Sequence, residues 1–503
     1  MKSDKLQDAI GYVDSDLITN AEKTPAKKKK LIKIKWIAPL AAVLAIVICL
    51  NVVLHNLPST VNVVDTLPQG TNSQPLVTPT NTQPTVIDTQ HNNMAVALAK
   101  YPEMSPYPDI TFPDKSDEAY NAWREDIDKQ REFCGAGDNL EGFLSATIAE
   151  FLKNSENENK IYSPINVYMA LTMLAEISDG NSRQQVLDLL NADSMESLRK
   201  QAHSIWNANY CDDGAVTSIL ASSLWLNKDI NFKQETLDIL ANNYYASTFQ
   251  GEMGTDEYNK ALQSWLNSQT GGLLGEYVKD VEMTPDTIMA LATTIYFKAN
   301  WDREFYDSDT KQDTFHSPTG DVTVDFMNDT IINGTYYWGK NFSAINKSLN
   351  ESGSMWFILP DEGVKVDTLL DDKEVMSFIT SNKQWSNQKT ININLSIPKF
   401  DVSSDLDLID GLKNLGVTDC FDIEKSDFSP LHDENGYISE ATHAARVAID
   451  EKGVIAAAFT SMMDAGGAMP NADEVDFVAD RPFIFVITGI DGLPLFVGVV
   501  NQP

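Results

Sequence analysis

The most unusual stretch of the chain lies between Glu451 and Phe477. Strand-like residues Ala444–Ile449 end in Asp450-Glu-Lys-Gly453, and residues 454–476 follow without a break. A compact domain seldom keeps so long a connection unless it works. Its first half is not loop-like. Val454, Ile455, Ala456, Ala457, Ala458 and Phe459 are apolar, and neither they nor Thr460 forbid a strand. The second half, around Gly467, Ala468 and Met469, is small and flexible. The segment is therefore balanced between exposed loop and inserted strand. From Gly453 to Asp480 it holds no Lys or Arg.

Other chemistry finds little support. The six histidines show no HxxxH or HxH spacing, and there is no HExxH or GxSxG, so neither a metal, a cofactor nor enzymatic activity is expected. The four cysteines, Cys49, Cys134, Cys211 and Cys420, are too few and scattered for a disulfide scaffold. Residues 1–35 carry 9 Lys against 5 acids, leaving 29 basic and 67 acidic side chains in residues 36–503, a net of −38. That argues against nucleic-acid binding, whose affinity comes from neutralised phosphates. A hydrophobic content of 43% is ample for a core.

The elements that must position the loop follow from texture. The basic tail, residues 1–35, ends in Lys27–Lys30, Lys33 and Lys35; residues 36–54 then read as a transmembrane anchor, uncharged from Ile37 to Leu54. Eighteen residues at 1.5 Å rise reach about 27 Å, close to the hydrocarbon core. No Lys or Arg returns before Lys100, which sets the N-terminus in the cytoplasm and the body outside. An uncleaved anchor is expected in the cell membrane, of the kind on bacterial surface proteins; a cleaved segment would give a secreted protein. Residues 55–93 form a Pro/Thr/Asn-rich linker, and residues 94–137 an irregular segment in which 117–133 could form a short polar helix.

Residues 138–503 read as one folded body. Leu140–Leu152 has helical spacing, and Ile161–Pro164 is a short strand leading into a helix. Gly180-Asn-Ser182 separates two helices, with Ser182 as the N-cap of the second. Strands are expected at Ile219–Leu226, Ile288–Phe297, Ser354–Leu359, Ile391–Ile397, Phe483–Ile487 and Leu495–Val500. Helices and strands mingle without βαβ alternation, an α+β architecture.

Several segments resemble the serpin family, the serine protease inhibitors, in family order. They are Asn159-Lys-Ile-Tyr-Ser-Pro-Ile-Asn-Val-Tyr-Met-Ala-Leu171, Ile295-Tyr-Phe-Lys-Ala-Asn-Trp301 with Phe305, and Met355-Trp-Phe-Ile-Leu-Pro-Asp-Glu362. Leu395-Ser-Ile-Pro-Lys-Phe400, Leu415–Phe421, Asp427–Pro430, Asp480–Phe483 and Leu495–Asn501 complete the set. The resemblance implies a large central mixed sheet, two smaller sheets, surrounding helices and an exposed reactive-centre loop. It makes Gly453–Thr460 the hinge. It also implies suicide inhibition of serine proteases: the protease acylates itself on the loop, which then enters the sheet as a new antiparallel strand. Strand addition of this kind has serpin loop insertion as a known example. Fifteen residues at about 3.3 Å carry the protease roughly 50 Å and distort its triad.

The family pattern puts Val454, Ala456, Ala458 and Thr460 beneath the sheet, all small and uncharged. Val454 and Ile455 stand where the family usually has Thr and Glu. Trp301 and the pair Lys399–Glu451 match the breach, where the loop enters. Ser163, Asn166 and His443 match the shutter beneath the sheet, with Thr293 at a position that is usually Asn. The expected scissile bond is Ala468–Met469, with Gly467–Ala468 second, which suits elastase-like or subtilisin-like proteases. A monomer is expected. The alternative is a serpin fold that serves as a non-inhibitory surface binding module.

Overall fold

The computed structural model describes residues 93–108, 113–131, 139–155, 157–272, 274, 275, 278–381, 384–454 and 473–503. The expected anchor at 36–54 lies outside them, as do Cys49 and Cys134. Among the described residues no helix is long and apolar enough to cross a membrane.

In chain order the first elements are β1 (Ala95–Ala97), α1 (Pro113–Arg131), α2 (Glu141–Leu152), β2 (Lys160–Tyr162), α3 (Pro164–Ile177), α4 (Gly180–Leu189) and α5 (Met195–Asn209). They are followed by β3 (Cys211–Asp212), β4 (Thr217–Asn227), α6 (Gln234–Asn243), β5 (Ala246–Gly251), α7 (Asp256–Gln269) and β6 (Met289–Asn300). The middle of the chain gives β7 (Lys311–Ser317), β8 (Gly320–Trp338), β9 (Phe342–Ser348), β10 (Ser354–Pro360), α8 (Val366–Leu370) and α9 (Lys373–Thr380). The last part gives β11 (Gln388–Pro398), β12 (Phe400–Asp407), α10 (Ile409–Asn414), β13 (Ile438–Ile449), β14 (Gly453–Val454), β15 (Glu474–Val478), β16 (Phe483–Thr488) and β17 (Pro494–Val500).

The strands make two sheets. One runs β1-β5-β4-β6-β14-β13-β12, with β3 on β4; the other runs β15-β11-β8-β9-β10-β16-β17-β2, with β7 on β8. The expected pair of smaller sheets is thus a single nine-stranded sheet. The reason is β8, a 19-residue strand that pairs with β7 and β11 over most of its length and reaches β9 at its end, so no break separates the two parts. The sheets and helices enclose one core, in which Trp206, Trp225 and Trp301 are among the largest fully buried side chains.

Helix α3, mostly apolar in sequence, is buried along its whole length and packs against β6 and β17. Its one acid, Glu176, takes Nε and Nη2 of Arg199 at 2.8 and 2.5 Å and the Tyr244 hydroxyl at 2.8 Å, which joins α3 to α5 and to the end of α6. Ser182 is not an N-cap. Helix α4 starts earlier, at Gly180 (φ +55°) behind Asp179, and the Ser182 hydroxyl instead receives the Asp427 N–H at 3.1 Å. The short acceptor at this point is used to tie a distant loop to the helix, so its local signal misleads.

The segment expected to be irregular is anchored. Strand β1 pairs with β5 at the outer edge of the first sheet. Tyr101 stacks against Trp206, Tyr210 and Tyr245 at 5.6–6.4 Å. Trp123 on α1 is 3% exposed and donates its indole N–H to Asp213 at 3.2 Å, while Arg124 and Tyr120 reach Glu351. Proline-rich polar text hides this because a few aromatic side chains, widely spaced, do the docking.

Candidate functional site

Strand β13 ends in a tight turn. The Asp450 carboxylate accepts the N–H groups of Lys452 and Gly453 at 2.8 and 3.2 Å, an Asx turn that sends the chain back. Gly453 and Val454 then enter between β6 and β13. Gly453 faces Asn300 and Val454 faces Ala299, antiparallel to β6, while Val454 also faces Ile449 on β13. A Cβ on Gly453 would stand 2.3 Å from the Ala299 carbonyl oxygen, so only glycine fits. Val454 is fully buried.

Strands β6 and β13 pair directly, in parallel, from Met289/Ile438 to Thr294/Ala444. Between that ladder and Val454 lie Ile295–Lys298 on one strand and Ala445–Ala448 on the other. The remaining hinge residues, Ile455, Ala456, Ala457, Ala458, Phe459 and Thr460, and the candidate bond residues Gly467, Ala468 and Met469, lie outside the described residues. The chain is described again at Asp473, which binds Lys389 at 2.7 Å, and β15 runs parallel to β11.

The end of β6 clamps the turn. Trp301 is buried; its backbone N–H donates to the Lys452 carbonyl at 2.8 Å and its indole N–H to the Asp450 carbonyl at 2.9 Å. The Phe305 N–H donates to the Glu451 carbonyl at 2.8 Å. The Glu451 carboxylate meets Lys399 at 2.6 Å and the Thr310 hydroxyl at 2.7 Å. Burial pushes its pKa up, but the hydrogen bonds from Lys399 and Thr310 outweigh that and hold it below the ordinary carboxylate value. A depressed carboxyl stabilises the fold above its unfolded pKa, and that contribution is lost as pH falls through the folded value. Glu451→Gln is therefore expected to lower the melting temperature at neutral pH, and the difference should shrink only as pH falls below the usual carboxyl range, through the folded value; thermal scans across pH check this.

A second ion cluster lies behind Trp301 and was not foreseen. Lys347 is 6% exposed, sits 4.4 Å over the Phe305 ring and meets Asp329 at 3.1 Å; Arg303 meets the other oxygen of Asp329 at 3.1 Å. Burial lowers the Lys347 pKa, and Asp329 opposes that. Lys347 and Asp329 are 18 residues apart on β9 and β8 and carry no motif, so nothing in the sequence marks them.

The four shutter residues divide. The Ser163 N–H donates to His443 Nε2 at 3.0 Å, and Thr293 is the cross-strand neighbour of His443. The Thr293 hydroxyl turns to the Ala221 carbonyl, 3.5 Å away on β4. Burial lowers the His443 pKa to about 3, so the ring is neutral at all ordinary pH. Asn166 lies one helical turn after Ser163 and is fully buried. Among the described residues no group of three or more His, Cys, Asp or Glu is arranged to hold a metal.

The first sheet thus takes Gly453 and Val454 between two of its strands. The family model for serpins (serine protease inhibitors) matches residues 140–503, and the chain belongs to that family. It is 29% identical over 367 residues to Serpin-ZX of Arabidopsis thaliana, covering 69% of this chain and 93% of that protein. Among solved structures, the native stressed form of Arabidopsis AtSerpin1 superposes with a TM-score of 0.62 at 27% identity, covering 74% of this chain and 98% of the other. The thermophilic serpin tengpin in its native state gives 0.66 at 24% identity, over 82% of this chain and the whole of tengpin.

Proposed function

We propose that this chain inhibits serine proteases by covalent trapping, through cleavage of residues 454–472 and their insertion between β6 and β13. The observation that carries this reading is the seating of Gly453 and Val454. They already pair in the antiparallel sense that an inserting strand needs, with Val454 fully buried. Continuing their register sets Ile455 to Ala458 beside Lys298–Ile295 and Ala448–Ala445, and only from Thr294/Ala444 onward must an existing ladder part. The uncharged, proline-free hinge suits that passage.

The targets are elastase-like or subtilisin-like proteases, because the bond region offers small residues and no Lys or Arg. The segment at 36–54 tethers the inhibitor to a cell membrane with the body outside, as on a bacterial surface. Incubation with elastase-like, subtilisin-like and chymotrypsin-like proteases, read on a denaturing gel, tests the proposal. A band at the mass of protease plus chain, less the released C-terminal peptide, is expected with the first two, and cleavage without any such band rejects trapping. The mass of the released C-terminal peptide reads the bond: a start at Met469 is expected, a start at Ala468 gives the second choice, and any other start rejects both.

A further inference from the structure

The arm that precedes the family-matched residues runs along the first sheet from one end to the other. Met94 and Ala95 mark one end: the Gln250 N–H donates to the Met94 carbonyl at 2.8 Å, and Ala95 shares a row with Phe249, Trp225 and Ala290. Tyr101 then stacks on Trp206 and Tyr210. At the other end the Tyr107 N–H donates to the Asp213 carbonyl at 2.8 Å, close to Thr217 and its partner Lys298. Helix α1 is held at that end by Trp123 on Asp213 and Arg124 on Glu351. It is the end where Val454 enters beside Ala299. The upstream chain, residues 1–92, is therefore joined to the body about nine rows, or roughly 30 Å, from the root of the loop.

Insertion would remove that separation. Continuing the register of Val454 along β6 sets Ala468 about five rows beyond Ala290, and about four strand spacings lie between the new strand and β1. At about 3.3 Å per row and 4.8 Å per strand, the acylated residue comes within roughly 25 Å of Ala95. That is less than the ~30 Å width of even a small domain. Resting on the insertion reading, we infer that the arm fixes the upstream attachment of this chain at the end of the sheet to which a trapped protease is delivered. The bait stands at the end remote from the attachment, and the captured enzyme finishes beside the arm. The arm lies before residues 140–503, so the family match does not itself place it there.

Energy transfer in the full chain tests this, with Cys49 and Cys134 replaced by Ser and a dye on Asn93→Cys, an exposed position. The second dye is carried by a serine protease that gives the covalent band. Transfer is expected to be low with that protease inactivated at its serine, which can dock but not acylate, and several-fold higher once the active form is trapped. A dye on Tyr306→Cys, 60% exposed beside the root of the loop, should show the opposite change. Tyr101→Ala with Trp123→Ala removes the aromatic anchors of the arm; it should keep the covalent band and lose most of the rise at position 93. Equal transfer at position 93 before and after trapping, or a rise undiminished by loosening the arm, overturns the inference. If no protease of the panel gives a covalent band, the insertion reading falls and this inference falls with it.

Discussion

Nicking the loop at its bond region is expected to raise the melting temperature of this protein by more than about 10 °C. An unfolding entropy of about 2.1 cal/mol/K per residue gives a body the size of residues 140–503 roughly 0.8 kcal/mol per degree. A 10 °C rise then needs about 8 kcal/mol. A new central strand pairs on both sides, and ten to fifteen added ladder bonds at about 0.5–1.5 kcal/mol each reach that scale. Burial of the underside residues Ala456, Ala458 and Thr460 offsets part of the cost of ordering the backbone. Circular dichroism should also show added strand after cleavage. A nicked chain that melts where the intact one does, with no strand gained, would mean that the segment entering at Gly453 goes no further.

The second large effect is a conversion from inhibitor to substrate. Val454 is fully buried and the family pattern puts it beneath the sheet; side chains alternate along a strand, so on insertion Ala456 and Ala458 would follow it to the underside and Ile455 would turn away. Ala456→Arg would have to bury an unpaired charge during insertion, a cost of several kcal/mol even after relaxation. The variant should be cleaved at the parental rate, form no complex stable on a denaturing gel, and lose most of the melting gain. Ile455→Arg, one residue away with the opposite parity, should keep the complex. A gel and a thermal scan of the two variants side by side decide the matter; equal behaviour of both would remove the strand register from the account.

Much of this arrangement is legible in residues. Runs such as Met289–Asn300 and Phe483–Thr488 have the strand signature of β-branched and aromatic side chains, and the chain from Asp450 to Gly453 announces a turn before an apolar stretch. What the sequence hides depends on distance along the chain. One long strand, β8, merges what were expected as two sheets, and no local pattern gives the length over which neighbours stay paired. Thr310 reaches Glu451, and Lys347, Asp329 and Arg303 meet behind Trp301, only because the fold brings distant parts of the chain together. Ser182 looked like a cap since the sequence shows its type but not its partner, which is Asp427, 245 residues on.

The strand Ala95–Ala97 carries a consequence for how copies of this protein meet. An open sheet margin can accept a strand from a neighbour, and templated growth starts there. By lying along β5, the arm occupies the backbone groups of that margin with the molecule's own chain. Solutions of this protein should therefore resist side-by-side sheet stacking at that border.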